Sequence, residues 1–226
     1  MINRISKVFR ISILCFGTTL CSWAQEEDAR LWLQASVEKK IIPKGSVELI
    51  AGLRRGENYS RTDSYYYQLG FEYKLFKFLQ AGILYRYSDK REYEPNFFHR
   101  DRWGGWLQFR KKFSKALVFD YRVFYQRQYT DMNRSEKGFI PSNYVRNKIR
   151  LQLDRKKRYK PYISAELFYQ IKYNKSEFNR ARLALGVAYE LDKHHKITPS
   201  YMFQKEINEP DPVTSYIIGI EYKYSF

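Results

Sequence analysis

Alternation of apolar and polar residues, repeated segment after segment, is the feature that most restricts this chain's fold. In YYYQLGFEYKL, Tyr65, Tyr67, Leu69, Phe71, Tyr73 and Leu75 form one set. Tyr66, Gln68, Gly70, Glu72 and Lys74 form the other. A period of two places successive side chains on opposite faces of a β-strand. SVELIAGLRR, LQAGILYRY, RWGGWLQFR, ALVFDYRVFYQRQ, VRNKIRLQL, YISAELFYQI, RARLALGVAYEL, KITPSYMFQKE and IIGIEYKYSF obey the same rule. No segment carries a helical period, so the chain reads as all-β.

The breaks between segments come in two alternating lengths. IIPKG, FK, KFSK, DRKKRYK and DKHHK are short, whereas GENYSRTD, SDKREYEPNFFHRD, TDMNRSEKGFIPSN, KYNKSEF and INEPDP are long. That order is expected of a meander closed into a barrel, with tight turns at one end and open loops at the other. Greek-key crossings in a soluble sandwich would not keep it.

Which face meets which solvent decides the class. The chain holds 21 Tyr and is 18% aromatic. A buried phenol needs a partner in a dry core, but it sits easily at a lipid headgroup boundary. The mean hydropathy is −0.63 and no apolar run is long enough for a spanning helix, which leaves a transmembrane barrel open because its strands show only half their residues to lipid. The expectation is a transmembrane antiparallel up-and-down β-barrel of about 10–12 strands, with short periplasmic turns and longer extracellular loops. Counting LWLQASV, Leu31 to Val37, gives eleven segments. Single-chain bacterial barrels have even numbers, so either this stretch is not a full wall strand or a twelfth strand hides in a loop.

The start of the chain reads as an export signal. Arg4, Lys7 and Arg10 precede the short apolar run ISILCFGTTL, and Ser22 and Ala24 occupy the small-residue positions of a cleavage site. Residues 1–24 are the expected signal, cleaved after Ala24, and residues 25–226 the barrel, with the outer membrane as destination. A lipoprotein signal at Cys21 is disfavoured by the bulky Leu20 before it. Cleavage removes Cys15 and Cys21, and with them disulfides, thiolate metal sites and cysteine nucleophiles. It also lowers the basic count from 41 to 38 against 24 acidic residues, a net charge of +14. The basic residues are spread along the chain rather than gathered on one arm, which with export argues against nucleic acid.

With the apolar face toward lipid, the other face lines the lumen. It carries Arg54, Arg86, Arg102, Arg110, Arg122, Arg146, Lys148, Arg150, Arg180 and Arg182, facing Glu48, Glu72, Asp120, Glu166, Glu190 and Glu221. Rings of arginine would make a pore that prefers anions. Long side chains in so narrow a barrel would instead fill it, knitted by charge-assisted bonds, and this filled interior is the favoured reading.

The last strand sets Tyr222, Tyr224 and Phe226 in alternation and resembles the C-terminal signal that outer-membrane barrels present to the barrel assembly machinery. LWLQASVEKKI, GFEYKLFKFLQAGILYRY, HRDRW, VRNKIRLQL, PYISAELFY and YIIGIEYKYSF together resemble an outer-membrane family catalogued as domain of unknown function 2490. The resemblance covers essentially the whole mature chain and implies one domain; it brings no activity with it.

An enzyme needs a site. A small lipid-modifying hydrolase would want a histidine beside a serine and a carboxylate near an interface. His194 and His195 lie in the turn DKHHK, and His99 has Asp101 close in sequence but no neighbouring serine. Metal clusters and phosphate loops are absent, and WGG at Trp103 to Gly105 matches no motif. No catalytic residue, metal site or cofactor is expected. Outer-membrane lipids and lipopolysaccharide are the expected surroundings, with a monomer favoured. Whether the charged long loops bind glycans or lipopolysaccharide phosphates, or are simply solvated, stays open.

Overall fold

The structure is a computed structural model, described here for residues 26–93, 96–114, 116–131, 134–135, 138–154, 158–172 and 176–226. The expected signal segment and both cysteines lie outside the described residues. Among the described residues there is no helix.

Eleven strands form the wall: β1 (Glu26–Ile42), β2 (Gly45–Gly56), β3 (Arg61–Phe76), β4 (Leu79–Tyr93), β5 (Asn96–Lys112), β6 (Leu117–Thr130), β9 (Ser142–Leu153), β10 (Tyr159–Ile171), β11 (Glu177–Glu190), β12 (His195–Glu206) and β13 (Val213–Ser225). The two-residue strands β7 (Arg134–Ser135) and β8 (Gly138–Phe139) pair with each other in the connection from β6 to β9. Each wall strand pairs antiparallel with its neighbour in the chain, except that β1 and β13 close the barrel in parallel, from Glu26 opposite Val213 to Glu38 opposite Ser225.

This closure corrects the expectation of an even count. Leu31 to Val37 lies inside a full wall strand, and among the described residues no twelfth strand joins the wall. In a meander each strand reverses the last, so an odd number leaves the first and last running the same way. A parallel ladder still pairs the backbone groups of both edges, which is what a membrane wall requires.

The long breaks also need correction. Strands β4 and β5 continue to Tyr93 and from Asn96, through most of SDKREYEPNFFHRD. The connection from β2 to β3 is only residues 57–60, with Glu57, Asn58 and Tyr59 at positive φ. The Asp28 carboxylate accepts from the Asn58 backbone N–H at 3.1 Å, and the Ala29 N–H donates to the Asn58 side chain at 3.3 Å, tying this turn to β1. A lipid-spanning strand needs roughly 9–11 residues, so the remainder of these strands projects beyond the apolar band.

The faces are inside out relative to a soluble barrel. Tyr67, Ile83, Trp103, Leu107, Leu183 and Leu185 lie outward and exposed, while Asp120, Glu166, Gln108 and Gln204 are buried within. Rings need room on the inner face. Trp106 lies over Gly82 and Tyr66 over Gly52, where any Cβ would collide with the ring. His194 and His195 sit at a tight turn: the Asp192 carboxylate accepts the backbone N–H groups of His194 at 2.7 Å and His195 at 2.8 Å. Those two bonds hold its carboxyl below the ordinary carboxylate range.

Candidate functional site

The inner face carries aromatic rings as well as charges, and the two interleave. The Arg86 guanidinium lies 4.0 Å from the centre of the Tyr66 ring, and Arg54 lies 5.2 Å from the same ring and 4.1 Å from Trp32. Trp32 also receives Arg182 at 4.9 Å, and Arg182 touches Phe168 at 5.1 Å. Phe168 then meets Arg146 at 4.6 Å, which reaches Phe124 at 5.2 Å. These residues come from β4, β3, β2, β1, β11, β10, β9 and β6, so the chain of contacts forms a belt around most of the barrel. Arg122 over Trp106 at 4.6 Å and Arg150 over Tyr162 at 3.9 Å extend the same scheme. Contacts of this kind contribute about 0.5–1 kcal/mol when exposed and about 2 kcal/mol when desolvated.

Glutamines orient the arginines. The side-chain oxygen of Gln68 accepts Nε and Nη2 of Arg86, at 2.9 and 2.6 Å. Gln128 does the same for Arg102, Gln108 for Arg122 and Gln204 for Arg182. The buried carboxylate of this layer is Glu166, 2.7 Å from Arg146 and 3.2 Å from Arg182, with Lys148 also bearing on it. Toward the short-turn end, Arg110 and Asp120 pair at 2.5 Å, and Lys223 bridges Glu38 at 2.6 Å and Glu48 at 2.9 Å. Lys160 pairs with Glu190 at 2.7 Å, while Glu72 and Glu221 occupy inward positions on β3 and β13. The residues that spacing alone did not single out are Trp32, Phe124 and Phe168 and the glutamines. Their signal was parity: rings and amides standing in the polar set of a strand.

A polar cluster lies on the outer face around His99. His99 lies 2.9 Å from Asp101 through Nε2 and 3.4 Å from Asp89 through Nδ1. The Tyr85 hydroxyl donates to Asp101, and the Tyr87 ring sits 4.2 Å from the imidazole. The carboxylates are therefore present, but among the described residues no serine hydroxyl is a partner of His99. At the chain end, Tyr222, Tyr224 and Phe226 point outward, with Phe226 66% exposed and its ring edge-on to Tyr224 at 4.8 Å.

Solved structures share this architecture. A bacterial polysaccharide outer membrane secretin aligns with TM-score 0.53 and 11% identity, over 77% of this chain and 62% of that one. The present chain thus spans less than two thirds of that relative's length. The beta domain of the Bordetella autotransporter BrkA aligns with TM-score 0.50 and 11% identity, over 76% of this chain and 78% of that one. At such identities the likeness is one of fold, that of outer-membrane β-barrels. No curated protein sequence matches the chain. Residues 29–213 match the family described as protein of unknown function DUF2490, and the chain belongs to that family.

Proposed function

We propose that the chain is an integral outer-membrane barrel whose lumen is filled at mid-height by the arginine–aromatic belt, a structural wall or narrow ion path rather than an open pore or an enzyme. The observation that carries this reading is the unbroken run of contacts from Arg86 through Trp32 to Phe124, made by side chains of eight different strands. Rings and guanidiniums at stacking distance leave little width for solutes. Any ion that does pass meets Arg54, Arg86, Arg102, Arg122, Arg146 and Arg182 against Glu166, which favours anions. The exposed apolar outer face fits lipid and lipopolysaccharide, and the terminal Tyr222, Tyr224 and Phe226 fit presentation to the assembly machinery.

Swelling of proteoliposomes tests the reading. Vesicles holding the refolded chain should exclude small neutral sugars as well as protein-free vesicles do; rapid uptake would replace the filled lumen with an open pore. The lipid-modifying alternative keeps His99 and Asp101 on the outer wall, but among the described residues no serine hydroxyl partners His99 as a nucleophile for a carbonyl. Release of fatty acid from phospholipid or lipid A, lost in His99→Gln, would establish that alternative in its place.

A further inference from the structure

Arg86 on β4 and Arg102 on β5 stand directly opposite each other in the ladder. Gln68 is opposite Arg86 on the far side, and Gln128 is opposite Arg102. The inward rung therefore reads Gln, Arg, Arg, Gln across four strands. Like charges directly opposite are destabilising. Amide oxygens orient these guanidiniums without neutralising them, and neither arginine contacts a carboxylate among the described residues. The charged groups that bear most on Arg102 are Arg86, Arg146, Arg54 and Arg100, every one a cation. Each glutamine takes Nε and Nη2, so the Nη1 corner of both arginines is not used by these bonds.

We propose that the Arg86–Arg102 pair binds a tetrahedral oxyanion of the phosphate class, which enters from the loop end of the lumen. The glutamine bonds lie on the far side of each arginine, which leaves the Nη1 N–H donors of two opposed rung positions. Donors from two cations suit an oxyanion with several acceptor oxygens better than a halide, because charge-assisted N–H···O bonds are strong. A counter-charge between the arginines converts their repulsion into attraction, and desolvated cations without one are costly. Direction follows from the inward neighbours. Toward the loop end the next charged inward positions are Lys90 on β4 and Arg100 on β5, a basic approach. Toward the short turns the next inward side chains are Leu84 on β4 and, beyond Gly104, Trp106 on β5, an apolar floor. The site stands whether or not the belt conducts.

The full chain, refolded in maltoside detergent in phosphate-free buffer, is titrated with inorganic phosphate while sodium chloride holds the ionic strength constant. Phosphate should raise the melting temperature and bind measurably by calorimetry, and Arg102→Gln should weaken that binding at least tenfold. Gln128→Glu, which supplies a carboxylate from within, should raise the melting temperature without phosphate and abolish any further rise. This second variant carries the test if Arg102→Gln fails to fold. Micelles containing phosphatidylglycerol form the control for lipid phosphate, which cannot reach the lumen and should give no response. Stabilisation by phosphate no greater than by chloride, unchanged binding in Arg102→Gln, or a response confined to the lipid micelles would each overturn the proposal.

Discussion

Arg182 on β11 holds its guanidinium 4.9 Å from the indole of Trp32 on β1, although β12 and β13 separate the two in the wall. Trp32 is thus the point where the belt passes the parallel seam, with Arg54 4.1 Å away on the other side. Trp32→Leu removes both contacts and should destabilise the barrel by about 1–3 kcal/mol, two cation–π contacts' worth. Urea unfolding of the refolded chain in vesicles, followed by tryptophan emission, reads the change. An unaltered midpoint would mean that Trp32 is not part of a supporting belt.

Glu166 is 5% exposed and faces Arg146, Arg182 and Lys148. Glu166→Gln keeps the shape but leaves three cations without their shared carboxylate. Breaking a buried ion pair from one side typically costs about 3–5 kcal/mol. The loss should shrink when Arg182→Met is added, because one stranded charge goes with it.

The parallel seam predicts cross-links that an antiparallel closure forbids. Ala29 is in register with Tyr216 and Val37 with Tyr224, so the offset between partners stays constant along both strands. Cysteine pairs at 29/216 and at 37/224 should therefore each form a disulfide in the folded chain, since neighbouring strands bring Cα atoms within bridging distance. Non-reducing electrophoresis of the two double variants checks this. Formation of only one of them would contradict the register.

Lys223 on β13 ties Glu38 on β1 and Glu48 on β2 across the same seam. Lys223→Met should lower stability, and Glu48→Gln in that background should restore part of it. A double-mutant cycle over these positions should yield a coupling of about 0.5–3 kcal/mol. High salt should leave most of it, because all three side chains are at most one-third exposed.

How much of this was legible follows from what lipid demands. The outward sets, such as Tyr65, Tyr67 and Leu69, were readable because a bilayer requires one face to be apolar over the whole spanning length. The inward charges followed by parity. Beyond the apolar band that requirement ends, and outward positions take up Asp89, His99 and Asp101 while the backbone still pairs. SDKREYEPNFFHRD therefore looked like loop although most of it is strand. Parallel closure is marked only by the parity of the strand count, which the even-number rule for bacterial barrels overrode, so Leu31 to Val37 was visible as a segment but not as the odd strand of the wall. The pairing of Trp32 with Arg182 was also out of reach, since alternation gives a residue's face and not its bearing across the lumen. Gln68 and Gln128 stood in the polar set from the start, but only the register shows that they flank two opposed arginines.

Single-channel recording in a planar bilayer, comparing the refolded chain with its Trp32→Ala variant, tests the filled lumen most directly. The account predicts that the unaltered chain inserts without large discrete openings, that any small residual current prefers anions, and that Trp32→Ala increases it. Large, stable openings from the unaltered chain, unchanged by Trp32→Ala, would contradict it.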